Sequence, residues 1–170
     1  MEYNFERTGI EKSPQEMQAI FAYWDGLRGD RFAPTLKEFD LLEIPSEILP
    51  NCIVVDYLTD EDAFKFRFFG SEVAIRHGEE MTGRNPLDFK WSSFGEALEK
   101  EYRAFIKRMQ PEHLVFGFEN KNGSHELHKV LRLPLSEDGK SVSGFVVILI
   151  ATVDRYKSRK FFEDLYNDDE

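Results

Sequence analysis

Apolar residues along the chain follow two periods, and each change of period marks a change of element. Ser13-Pro14-Gln15-Glu16 has the form of a capping box with proline at the first helical position. Behind it Met17, Ile20, Phe21, Trp24 and Leu27 recur at helical spacing until Gly29, which predicts an amphipathic helix in need of a partner surface. From Asp30 to Pro50 the period is lost. Pro34, Pro45 and Pro50 act as stops, with one helical turn expected around Asp40 to Glu43. Asn51 to Leu58, rich in β-branched residues, and Ala63 to Phe69, which alternates, predict two strands joined by the polar turn Thr59 to Asp62. Strict alternation puts Phe64, Phe66 and Phe68 on one face of the second strand and Lys65, Arg67 and Phe69 on the other.

The helical period then returns. A short helix is expected from Glu72 to His77, with Ser71 as its N-cap and Gly78 at its C-cap position. Ser93-Phe94-Gly95-Glu96 repeats the capping-box form, and Leu98, Tyr102, Phe105, Ile106 and Met109 carry an amphipathic helix as far as Pro111. Three antiparallel strands follow, Leu114 to Glu119, Leu127 to Leu133 and Ser143 to Val153, joined at Asn122-Gly123 and Asp138-Gly139, dipeptides suited to tight hairpins. The last strand is apolar on both faces, which predicts a central position in a sheet covered on each side. Lys157 to Tyr166 reads as a terminal helix with Phe161, Phe162, Leu165 and Tyr166 as its apolar residues. The order of elements predicts an α+β fold: a five-stranded antiparallel sheet, order 2-1-5-4-3, with helices over one face and an N-terminal leader helix. The stripe of that leader is available for the other face or for a second subunit.

Length and charge narrow the picture. The 170 residues suit one domain with extensions: a leader segment over 1–34, the sheet-and-helix domain over 35–155, and a C-terminal helix with acidic tail over 156–170. A net charge of -10, with lysine and arginine dispersed, argues against a nucleic-acid partner or an anionic membrane surface. Cys52 is the only cysteine, so an intrachain disulfide and a cysteine-rich zinc site are excluded. The opening residues lack the apolar core of a signal peptide, and the longest apolar run, Phe145 to Ala151, is too short for a membrane-spanning helix. A cytoplasmic protein is expected.

Few residues form a recognisable constellation. Arg67 offers a planar fork for an anion or a partner carboxylate, or a structural ion pair with the leader helix. Ser71 lies outside any G-x-S-x-G elbow, and Gly70, Gly78 and Gly83 lack the spacing of a phosphate loop. Among His77, His113, His125 and His128, the last two are three apart and fall on opposite faces of one strand, which is poor geometry for a shared metal; no metal site is expected. Cys52 reads as a small buried side chain. Sixteen phenylalanines, many at strand positions, supply either core or a ligand cavity.

Tyr23-Trp24 with Leu27-Arg28, Pro34 followed by Phe39-Asp40, Leu49-Pro50, FKFRFFGS, Gly78, Thr82-Gly83 and LPLSEDG from Leu133 to Gly139 stand in an order and spacing that resembles a bacterial branch of PAS proteins with a leader helix. The resemblance covers roughly residues 18 to 153. It departs at Thr35-Leu36, where the family tends to carry a basic residue that here comes only at Lys37. It implies a stand-alone sensory or adaptor domain without catalysis, binding a small apolar ligand or a signalling protein partner. It also implies a homodimer through the leader helix, with Ile20, Phe21 and Trp24 at the interface. The expected ligand residues are Phe66, Phe68, Ile75, Tyr102, Ile106 and Phe116. The cofactor is undetermined, with a haem on His77 as one option that relatives suggest. The alternative is an enzyme of the NTF2-like or ketosteroid-isomerase kind, using Asp56 or Glu119 as a base in an apolar pocket.

Overall fold

Six antiparallel strands form one sheet in the computed structural model of the chain, which describes residues 2–119, 125–152 and 155–169. They are β1 (Glu2–Thr8), β2 (Cys52–Leu58), β3 (Ala63–Phe69), β4 (Glu112–Glu119), β5 (His125–Leu135) and β6 (Gly144–Ala151), ordered β1-β4-β5-β6-β2-β3 across the sheet. The five expected strands take the predicted order, with β6 between β5 and β2. The addition is β1, which pairs with β4 from Glu2 opposite Glu119 to Thr8 opposite His113. Its sequence EYNFERT is mostly polar, and what holds it is the open edge of β4 together with Phe5, stacked on Phe116 with centroids 4.2 Å apart.

Both faces of the sheet are covered, which is why β6 is apolar on each side. One face carries α1 (Gln15–Arg28), whose Met17, Ile20 and Trp24 pack with Val54, Leu131, Leu133, Val146 and Ile148. Trp24 Nε1 donates to the Pro134 carbonyl at 2.8 Å, and the Tyr23 hydroxyl accepts from the Asp40 amide at 3.0 Å. The Tyr-Trp pair thus anchors the helix to the sheet and the following loop to the helix. Ile20 and Trp24, expected at a subunit interface, are 3% and 1% exposed against the chain's own sheet. Only Phe21 of that trio stays partly exposed, its ring 5.9 Å from Trp24.

The other face carries α2 (Ser71–His77), α3 (Ser92–Arg108) and α4 (Arg155–Asp169). The terminal helix runs on to Asp169, through most of the expected acidic tail. Gly78 ends α2 in the left-handed region at φ 71, as the C-cap expectation required. None of the three serines caps as expected. Ser13 Oγ donates to the Ile10 carbonyl (2.6 Å) and Pro14 precedes α1; Trp91 precedes α3; and Gly70, not Ser71, stands at the N-cap of α2. Gly70 is required by proximity: a Cβ there would lie 2.3 Å from the Pro50 carbonyl oxygen.

Alternation in β3 breaks at a bulge. Val54 faces Phe68 while its neighbour Val55 faces Phe66, so Arg67 is the extra residue. Phe68 therefore turns toward the α1 face, and Phe69 joins Phe64 and Phe66 on the helical face. The outer edge of β3 is partly covered by the Thr82-Gly83 segment, through Gly83 N to Phe66 O (2.7 Å) and Phe66 N to Arg84 O (2.9 Å). Between β5 and β6 a longer loop replaces the expected tight hairpin: Asp138 Oδ1 accepts from the amides of Lys140 and Ser141, both at 2.8 Å, and Gly139 takes φ 68. Asn122-Gly123 lies outside the described residues.

Trp24→Ala should lower unfolding stability by about 3–5 kcal/mol, since it removes a buried ring and strands the Pro134 carbonyl. Leu42, 82% exposed, serves as control, and Leu42→Ala should stay within about 0.5 kcal/mol. Urea titration reads both, and equal midpoints for the two variants would contradict the anchoring role.

Candidate functional site

Between the sheet and the layer of α2, α3 and α4 lies a narrow cavity of about 30 Å³. Its floor comes from successive inward positions of the strands: Ile53 on β2, Phe116 on β4, Val130 on β5, Val147 and Leu149 on β6. Its roof comes from one face of α3, where Phe94, Leu98 and Tyr102 follow at intervals of four. Phe69, Phe89 and His77 close one end. Such a space admits about two water molecules. A second, open cleft of about 400 Å³ adjoins it between the end of α2, residues 89–91 and α4, and shares His77 and Phe89 with the inner cavity. Phe162 of α4 lines this cleft and stacks on His77 with centroids 4.4 Å apart. It also lies 5.3 Å from the Trp91 ring and 6.1 Å from His128. Arg76 Nη1 donates to Ser158 Oγ at 3.1 Å, tying α4 to α2.

Three nitrogen-bearing side chains enter this apolar setting. His77 Nδ1 lies 2.9 Å from the Val73 carbonyl, so the neutral ring donates there and keeps Nε2 as an acceptor. Burial pushes its pKa down from 6.5 to about 3, with His128 and Arg76 acting in the same direction and the Val73 bond against it. His128 is fully buried, its ring 6.0 Å from that of His77. Arg132, 2% exposed, directs Nη1 to Glu112 Oε1 at 2.9 Å and stands 3.7 Å from Glu101 Oε2. Its guanidinium lies over Tyr102 (5.3 Å) and Phe105 (6.0 Å). Glu112 also accepts from Arg7 Nε and Arg108 Nε, each at 3.1 Å, and Glu101 from Arg7 Nη2 at 2.6 Å. Arg132 Nε is buried and has no hydrogen-bond partner among the described residues.

Of the expected ligand residues, Tyr102 and Phe116 line the cavity. Phe66 is buried in the same core against Phe69 and Phe89 without lining the space, and Ile106 packs on that core partly buried. Phe68 is on the opposite face because of the bulge, and Ile75 lies in a shallow hollow beside Arg159, away from the cavity. Arg67 pairs with Asp56 on the adjacent strand at 2.8 Å instead of with α1. Asp56 thus borders a different, open hollow, and the Glu119 side chain falls outside the described residues, as does that of His125. No carboxylate lines the inner cavity among the described residues. Cys52 is buried on the α1 face, where burial pushes its thiol pKa up to about 12. Arg132, His128, Phe94 and Phe162 had no place among the expected site residues. For His128 and Arg132 the sequence signal is the alternation His128, Val130, Arg132, which puts three residues on one face of β5; Phe94 and Phe162 read only as apolar positions of their helices.

An antiparallel sheet covered by helices on both faces, with a small cavity beneath one layer, defines an α+β domain. A family model described as PAS domain matches residues 12–149, and the chain belongs to that family. Among curated proteins no match is found. Solved structures of similar fold include a light-oxygen-voltage domain studied with a flavin analogue, at 16% identity over 71% of this chain and 88% of that one, with a TM-score of 0.42. Another is the VqmA dimer of Vibrio cholerae, at 11% identity over 68% of this chain and 52% of that one, TM-score 0.47. A third is the light-oxygen-voltage domain of a blue-light activated histidine kinase from Erythrobacter litoralis, at 16% identity over 61% and 95%, TM-score 0.40. The chain spans about half the length of the Vibrio protein. No helix among the described residues is long and apolar enough to cross a membrane.

The depressed pKa of His77 sets a sign for pH dependence. The unfolded chain takes up a proton near pH 6.5 that the folded one refuses until about pH 3, so stability falls as pH falls through that window. The slope is at most about 1.4 kcal/mol per pH unit for one such group. His113, lowered by burial and by Lys129, adds in the same direction. His77→Phe should flatten the decline in urea-unfolding stability between pH 7 and pH 5 without abolishing it. Parallel profiles for variant and parent would refute this assignment.

Proposed function

We propose that the chain is a sensory domain that registers a small molecule between its sheet and its helices, passes the result to a protein partner, and performs no chemistry of its own. The observation that carries this reading is the pairing of a small apolar cavity with an adjoining cleft, the two sharing His77 and Phe89 and the cleft side closed by the Phe162 ring stacked on His77. A folded core normally fills its interior and keeps polar groups out of it. Here buried His128 and Arg132, with half-buried His77, stand in a mostly apolar lining, which is the composition of a recognition site. The enzyme alternative needs a carboxylate in the apolar pocket, and Asp56 is instead committed to Arg67 at 2.8 Å.

A panel of small metabolites, both neutral and anionic, tested by thermal shift and by methyl NMR of Ile53, Val130 and Leu149, examines the reading. At a concentration one hundred times its Kd, a ligand of the folded state should add about 2.7 kcal/mol of stability and move those methyl signals. A panel in which no compound perturbs the cavity methyls would reject ligand sensing at this site.

A further inference from the structure

We propose that the ligand is a carboxylate with an apolar, preferably aromatic, body, its acid group held by Arg132 and its body taking the place of the Phe162 ring. The inference rests on the ligand-sensing reading above and specifies its chemistry. Arg132 is 2% exposed, lines the inner cavity, and spends Nη1 on Glu112 while Nε finds no partner among the described residues. A buried cationic N–H without an acceptor is costly, and the edge of a guanidinium that includes Nε matches the two oxygens of a carboxylate.

Charge points the same way. Arg7, Arg108 and Arg132 converge on Glu101 and Glu112, so three cations share two anions and a monoanion brings the cluster to neutrality. Size excludes a whole ligand from the inner space as it stands: about 30 Å³ accommodates a group the size of a carboxylate. The remainder must extend past His77 and Phe89 into the 400 Å³ cleft, where Phe162 already presents an aromatic ring to His77. A dianionic phosphate fits less well, since it is bulkier and overcompensates the single excess charge.

His128, beside Phe162, and Arg132 are four residues apart on β5, about 13 Å along the strand, so the acid and the ring need a linker between them. The acid 5-phenylpentanoate and its uncharged isostere 5-phenylpentanamide provide the test, titrated into the full chain and followed by calorimetry and by the methyl signals of Ile53, Val130 and Leu149. The acid should bind at least about tenfold more tightly than the amide, the difference made by one charge-assisted hydrogen-bonding edge. Phe162→Ala should strengthen binding of the acid, and Arg132→Lys, which keeps the charge and loses the fork, should weaken it by a similar tenfold or more. Equal binding of acid and amide, or undiminished binding to a folded Arg132→Lys protein, overturns the carboxylate assignment while leaving ligand sensing intact. Failure of 5-phenylpentanoate to shift the cavity methyls in both parent and Phe162→Ala overturns it as well, and only an equally silent metabolite panel would take the sensing reading with it. Should Arg132→Lys not fold, the acid and amide comparison on the parent decides alone.

Discussion

A sheet that is apolar on both faces must be covered on both, and this constraint organises the whole chain. The central strand β6 has no solvent side, so one face needs α1 and the loop that follows it, while the other needs α2, α3 and α4. The two layers differ in how they meet the sheet. On the α1 side, Trp24 inserts its ring and satisfies the Pro134 carbonyl, a polar seal within an otherwise dry contact. On the other side the helices are held partly by aromatic edges and partly by the arginine and glutamate cluster, and that mixture leaves a space.

The aromatic excess is concentrated where that space lies. Phe69, Phe89, Phe94, Phe116 and Phe162 surround His77 or its immediate neighbours, with ring contacts that are mostly stacked or edge-on. Ring pairs of this kind hold each other in offset or edge-to-face geometry, so the rings around the cavity are fixed by one another as well as by the sheet. The α1 face is built instead from Met17, Ile20, Leu131, Leu133 and Ile148 around Trp24.

Much of the architecture was legible in the sequence because period and turn chemistry report on it directly. Strand order followed from the turns that pair consecutive strands together with the two-sided hydrophobicity of β6, which placed it in the centre beside β2. What was not legible depended on partners distant in sequence. β1 carries no pattern of its own and exists through the edge of β4. The bulge at Arg67 has no marker in FKFRFF, yet it reverses the side of Phe68 and so moved one expected ligand residue across the sheet. Ile20 and Trp24 looked available for a second subunit because a helical stripe does not say which apolar surface it meets. Within HELHKVLRLPL both faces mix apolar and charged residues, so nothing in the text identified the face of Arg132 as the interior one.

Phe162 is at once a wall of the cleft and a docking contact of the C-terminal helix, and under the ligand-sensing proposal this makes binding and helix docking a single equilibrium. Any molecule that needs the volume of that ring competes with α4 for His77, and its apparent affinity is reduced by the free energy that docks the helix. Reciprocity then binds the two ends of the chain's chemistry: a protein that captures undocked α4 raises ligand affinity by the same factor by which the ligand raises capture of α4. On that proposal the terminal helix is the part of this fold through which occupancy would become a mechanical quantity, available to whatever holds it.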